Sequence, residues 1–139
     1  MKNEELKNEI TLFTGVKNNV YCSKEIVTEE EKKELFNALE ECDVLLNNCV
    51  GQLIEIKDIY VEEREILSEE TGELVKKYRT ILFDVNGQTY ATGSYGIYNV
   101  IRKIVQIYGL PTSWEKPIKV EVKKRPIGNG KQSLTLTLV

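Results

Sequence analysis

The chain has 139 residues, 41% of them apolar and 29% charged, with a formal net charge of −3. That is the length of one domain with side chains enough for a core, which excludes the disordered class. No apolar run approaches the roughly 20 residues that span a bilayer, and a count of 0 histidines removes imidazole acid–base chemistry, Ser-His-Asp triads and His metal sites.

The opening MKNEELKNEI is charged and acidic, unlike a secretory signal, so a cytoplasmic location is expected. Residues 1–27 read as an N-terminal extension of weak pattern. Thr11-Leu12-Phe13 and Val20-Tyr21-Cys22 are short strand candidates, broken up by Gly15 and Asn18-Asn19. Residues 28–139 read as the folded domain, entered by an acidic helix over 28–45. Thr28 followed by Glu31 is a capping box, and Glu29 and Glu30 suit the positive end of the helix dipole. Leu35, Phe36 and Leu39 share a face, and the helix ends between Glu41 and Leu45, before Asn47-Asn48. Cys22, Cys42 and Cys49 have no Cys-x-x-Cys spacing and no evident fourth ligand for zinc, so they read as reduced thiols. Neither a metal nor a cofactor is expected.

From Val50 the pattern is β. Gly51 to Ile66 reads as one long strand whose apolar phase switches between Ile56 and Ile59, which calls for a bulge or a bend. Glu69-Glu70-Thr71-Gly72 is a turn. Leu74 to Asp84 is a second strand, with Ile81 and Phe83 on one face and Tyr78 and Thr80 on the other. Asn86-Gly87 is a hairpin signal leading into Gln88–Thr92. Ser94 then caps a helix whose stripe is Ile97, Val100, Ile101, Ile104, Val105 and Tyr108, ended by Gly109 and Pro111. Ile118, Val120 and Val122 alternate with Lys119, Glu121 and Lys123. Pro126, Gly128 and Gly130 read as a loop, and Leu134, Leu136 and Leu138 form the last strand.

Five strands with a helix between the third and fourth is the order of the OB-fold, a five-stranded Greek-key barrel. In that architecture ligands lie on the second and third strands, between two flanking loops. Those strands carry Lys76, Lys77, Tyr78, Arg79 and Tyr90. The loop between the last two strands carries Lys124, Arg125 and Lys131, Lys123 lies just before it, and Tyr60 sits near the bend of the first strand. Charge is polarised to match: residues 1–75 hold 8 Lys and Arg against 19 Asp and Glu, and residues 76–139 hold 11 against 3. Cations follow a nucleic-acid backbone and rings stack on bases, so these ten residues are the candidate contacts of a site for single-stranded nucleic acid.

The segments ELFNA (34–38), ILFDVNGQTYATGS (81–94) and KQSLTLTLV (131–139) resemble the single-stranded DNA-binding proteins of small tailed phages of Gram-positive bacteria, including those that replicate by protein priming. The resemblance runs from about Leu35 to Val139. It implies an OB-fold that coats and protects single strands during phage DNA replication in the host cytoplasm. Its matching residues are largely structural, so it names no DNA contacts. The acidic residues lie in the front half, not in a C-terminal tail as in bacterial proteins of this kind, so recruitment of replication proteins does not follow from it.

The expectation is a sequence-nonspecific binder of single-stranded DNA that is not an enzyme. After residue 75 the carboxylates are Asp84, Glu115 and Glu121, and nothing pairs them for acid–base work. The alternative is a protein-interaction module, or a DNA mimic, acting through the acidic N-terminal half. Oligomeric state and replication partners stay open at this level.

Overall fold

The computed structural model describes residues 17–139, so the strand candidate at Thr11-Leu12-Phe13 lies outside the described residues. Along the chain come strand β1 (Lys17–Cys22), helix α1 (Glu29–Glu40) and strands β2 (Val44–Leu45), β3 (Leu53–Leu67), β4 (Leu74–Asp84) and β5 (Thr89–Thr92). Helix α2 (Tyr95–Tyr108) and strands β6 (Ile118–Gly128) and β7 (Lys131–Leu138) follow. The sheet order is β2-β5-β4-β3-β6-β7, with β1 added to β3. All pairs are antiparallel except the short parallel pair of β2 with β5. The result is a mainly β molecule, a curled half-barrel of sheet with two helices, consistent with an OB-like fold.

Strand β3 makes the curl. Its residues 53–56 pair with β6, and residues 60–65 pair with β1 on the same edge. Its ladder to β4 shifts register between Ile56 and Asp58. The phase switch in the sequence is therefore a bulge, which bends the strand and re-aims its side chains. Two apolar layers result. Ile54, Ile56, Ile59, Leu82, Val120 and Val122 fill the inner face together with Ile97, Ile101 and Ile104 of α2. Tyr60, Ile81, Phe83 and Ala91 face outward and are covered by Leu35, Ala38 and Leu39 of α1.

Helix α1 is held at both ends. Thr28 Oγ1 accepts from the Glu31 amide at 3.1 Å, and Glu31 Oε1 accepts from the Thr28 amide at 2.8 Å. The Thr28 amide first, then the Thr28 hydroxyl and the Val27 amide, lower the pKa of the Glu31 carboxyl from its ordinary value. The last turn of α1 contains no basic residue. A cation from the sheet stands in: the Arg79 guanidinium donates to the Leu39 carbonyl, where helix carbonyls lack partners and the dipole is negative.

Residues 17–22 carry no regular apolar pattern, yet they form a registered strand against β3. Cross-strand pairing overrides the two asparagines, because an edge strand needs backbone bonds more than propensity. Buried Ser23 anchors its end. Its Oγ donates to Asp58 Oδ1 at 2.9 Å and accepts from the Ile59 amide at 2.8 Å. Ser23→Ala leaves that buried amide unpaired at the bulge, so it is expected to lower unfolding free energy by about 1–3 kcal/mol. Urea denaturation measures this, and a change under 0.5 kcal/mol, the scatter of surface substitutions, would mean that β1 is not fixed there.

The Pro126–Gly130 stretch, read as a loop, is mostly ladder. Strand β6 continues past Pro126, which pairs with Gln132, and a register shift falls between Pro126 and Gly128. A bulge on a two-stranded ribbon is a place where a strand accepts proline. The turn is tight, with φ +100° at Gly128, +53° at Asn129 and +72° at Gly130.

Candidate nucleic-acid interface

Residues opposite one another in an antiparallel ladder share a face of the sheet, so the register sorts the candidate residues. Lys76 and Tyr78 stand opposite Glu65 and Glu63, in line with Thr80 and Leu82 on the inner face. Lys77 and Arg79 stand opposite Arg64 and Glu62 on the outer face.

Tyr60 is buried on the outer face, 5% exposed, under α1. Its hydroxyl donates to Glu62 Oε1 at 2.7 Å. Burial first, and then that carboxylate, push its pKa far above the ordinary phenol value. Tyr90 is buried on the inner face, 8% exposed. Its hydroxyl donates to Asp84 Oδ2 at 3.1 Å, and burial with that contact raises its pKa to about 12. Neither ring offers a face to a base in this conformation. Asp84 Oδ1 also accepts from the Asn86 and Gln88 amides at 2.8 and 2.9 Å, and Gly87 has φ +83°. Residues 85–88, around Asn86-Gly87, are thus a four-residue turn held by Asp84. Arg79 is committed to the Leu39 carbonyl.

Tyr78 has a different setting. Its ring lies 4.5 Å from that of Tyr98 and 5.1 Å from that of Tyr95, measured between centroids. Tyr95 is 54% exposed. Cations surround the trio. The Arg102 guanidinium lies 6.0 Å from the Tyr98 ring centroid. Lys76 Nζ lies 3.4 Å from Glu63, the carboxylate that accepts from the Tyr98 hydroxyl at 3.0 Å. Burial, and next that bond, raise the Tyr98 pKa. Glu63 therefore orients a ring and holds a lysine beside it.

Lys123, Lys124, Arg125 and Lys131 are all exposed along the β6–β7 ribbon. Lys124 pairs with Leu134 and Arg125 with Ser133. Gly96, in the first turn of α2, lies directly against Ser133 and Leu134. The root of the basic ribbon therefore adjoins the turn that carries Tyr95 and Tyr98. Candidates from two distant stretches thus lie against the same first turn of α2. Tyr95 was not among the candidate contacts. Its signal was available: Tyr95 and Tyr98 are three apart, so they share a helical face, just after the Ser94 cap, which accepts from the Ile97 amide in the structure.

Among the described residues, no group of three or more His, Cys, Asp or Glu is placed to hold a metal ion. No helix among them is long and apolar enough to cross a membrane. The arrangement offers clustered aromatic rings, cations around them and a basic two-stranded arm.

No curated protein and no solved structure matches the chain. The family model described as Phage Single-stranded DNA-binding protein matches residues 14–139, a stretch that takes in every described strand and both helices. The chain belongs to the phage single-stranded DNA-binding protein family.

Proposed function

We propose that the protein coats single-stranded DNA with little sequence preference during phage genome replication, and that its half-barrel is an OB-fold with α2 plugging the inner side. Family membership supports the DNA part. The ladder order β5-β4-β3-β6-β7, with a helix between β5 and β6 in the chain, supports the fold. The observation that carries the reading is the Tyr78, Tyr95 and Tyr98 cluster at the root of the basic ribbon. Stacking on aromatic rings is sequence-tolerant because every base has a π-face, and cations track the backbone.

In this reading Tyr78 and Tyr95 meet bases. Lys76, Arg102, Lys123, Lys124, Arg125 and Lys131 meet phosphates, and Lys77, on the outer face, lies off the path. Tyr60, Arg79 and Tyr90 hold the scaffold. Helix α1 covers the outer surface of β4 and β5, so the strand of DNA runs along the inner mouth and the ribbon.

Fluorescence titration with oligo-dT, and with duplex of equal length, tests this. Single strands should bind tighter, because paired bases hide their faces. Equal affinity for both forms, or none for oligo-dT, would reject the reading and leave the acidic half as the feature to explain. The same titration across salt checks the ribbon. Changing Lys124, Arg125 and Lys131 together to Gln should make the slope of log affinity against log salt shallower by up to about 2 units, at roughly 0.7 per phosphate contact. The change should be equal on oligo-dT and mixed sequence, since phosphates carry no base information. An unchanged slope removes the ribbon from the site.

A further inference from the structure

The β3–β4 hairpin ends in an apolar pair with nothing among the described residues against it. Leu67 stands opposite Leu74, and the two are 60% and 67% exposed. The tip is built and not frayed: the Ser68 amide donates to the Glu73 carbonyl and the Gly72 amide to the Ser68 carbonyl, both at 2.8 Å. Exposed Glu69, Glu70 and Glu73 surround it.

Elsewhere on the surface lies a cleft of about 640 Å3 whose apolar lining includes Tyr108, Trp114, Ile118, Leu138 and Val139. Its walls are fixed. Trp114 Nε1 donates to the Gly109 carbonyl at 2.8 Å, and the Val139 amide donates to the Lys119 carbonyl at 3.0 Å. Its rim carries Lys116, Lys119 and Glu115.

Tip and cleft complement each other: two leucines ringed by three acids, and an apolar cleft rimmed by two lysines. They cannot meet within one molecule. Ile118, at the cleft, pairs with Ile56. From there β3 runs to Leu67, about 35 Å at roughly 3.3 Å per residue. Its ladder to β4 is unbroken from Asp58 to Leu67, so the arm cannot fold back. We infer that the Leu67–Leu74 tip of one copy seats in the Tyr108–Trp114–Val139 cleft of the next. Such a contact uses two different surfaces. It repeats head to tail and gives an open row rather than a closed dimer. A row of that kind suits a linear lattice, but the inference stands on the two surfaces and not on DNA binding.

The test mixes isotope-labelled and unlabelled full-length chains, without DNA and on long oligo-dT, and joins touching amines to carboxylates with a zero-length carbodiimide. Mass spectrometry should find isotopically mixed links from Glu69, Glu70 or Glu73 to Lys116 or Lys119. Changing Leu67 and Leu74 together to Ser should reduce those links about tenfold, equivalent to ~1.4 kcal/mol of association. Circular dichroism confirms that the variant is folded. Sedimentation velocity provides an independent arm. Lys116→Glu with Lys119→Glu should lose association, and adding Glu70→Lys with Glu73→Lys should restore it. The absence of mixed links, links that join the cleft lysines to residues 1–16 or to other surfaces, or a failure of the reversed pairs to restore association would overturn the inference. Binding of a short oligo-dT that holds one copy is read in parallel, so a failure of DNA binding is seen separately.

Discussion

Changing Tyr78 and Tyr95 together to leucine is expected to weaken oligo-dT binding by up to about 6 kcal/mol, at about 1–3 kcal/mol per stacked base. The two rings touch each other at 5.1 Å, so the single substitutions should not add up to the double. Tyr95, the more exposed ring, should lose affinity with little change in stability. Tyr78 packs between its two neighbours and should lose some of each. Tyr90→Phe provides the contrast. It removes the donor to Asp84 beneath a turn that the same carboxylate holds together. It should cost about 1–3 kcal/mol of unfolding free energy and leave DNA affinity unchanged once folded protein is counted. Titration by tyrosine fluorescence and urea denaturation on the same samples separates the two effects. If the Tyr78/Tyr95 double variant binds as tightly as the parent, the tyrosine cluster is packing and the DNA lies elsewhere.

Much of this arrangement was legible because short-range rules happen to agree with the fold. The Thr28 box, the Ser94 cap and the Gly109 stop depend on neighbouring residues alone, and each sits where its chemistry places it. The bend in β3 was legible because a change of apolar phase has few other causes. What escaped depends on distant partners. Strand β2 is two residues long and exists only through its pairing with β5, too short for any period to show. Strand β1 was legible only as its second half, Val20-Tyr21-Cys22, because asparagines stand where the pattern of Lys17–Asn19 would be sought and that part is ordered by β3.

The faces of the aromatic residues were harder still. Ile81-Leu82-Phe83 are all buried, a continuous apolar run that signals cover on both sides of a strand. Had that run been read as two-sided, α1 would have been placed over the outer face. Tyr60 would then have been assigned to packing, and Arg79 to the end of a helix. Tyr90 alternates in phase with Tyr78 on the inner face. Alternation gives the face of a residue but not its depth, and it is depth that separates the buried ring from the open one.

Gly96 decides whether the tyrosine turn and the basic ribbon form one surface. A Cβ built there would meet Ser133 Oγ, and would lie 2.5 Å from the Leu134 carbonyl oxygen, where real contacts do not occur. The hydroxyl can rotate away, but the carbonyl is main chain of β7, which is held in register with β6, and cannot. Helix propensity argues the other way, since alanine is favoured over glycine inside a helix by roughly 1 kcal/mol. Overpacking costs about 1–3 kcal/mol and sometimes more, and a backbone obstacle leaves little room to relax, so the clash wins. Gly96→Ala is expected to be destabilising despite its better propensity, and Gly96→Val to reach about 3 kcal/mol or beyond. Both should push the first turn of α2 off β7, carrying Tyr95 and Tyr98 away from Lys124 and Arg125. Oligo-dT affinity should then fall even at temperatures where the variant is fully folded, while the salt slope of the ribbon persists, because the cations stay on their own strands. Thermal denaturation and salt-dependent titration of the alanine variant read both quantities. A Gly96→Ala protein that is more stable than the parent and binds as well would show that the helix does not rest on β7 in solution, and that rings and ribbon act as separate sites.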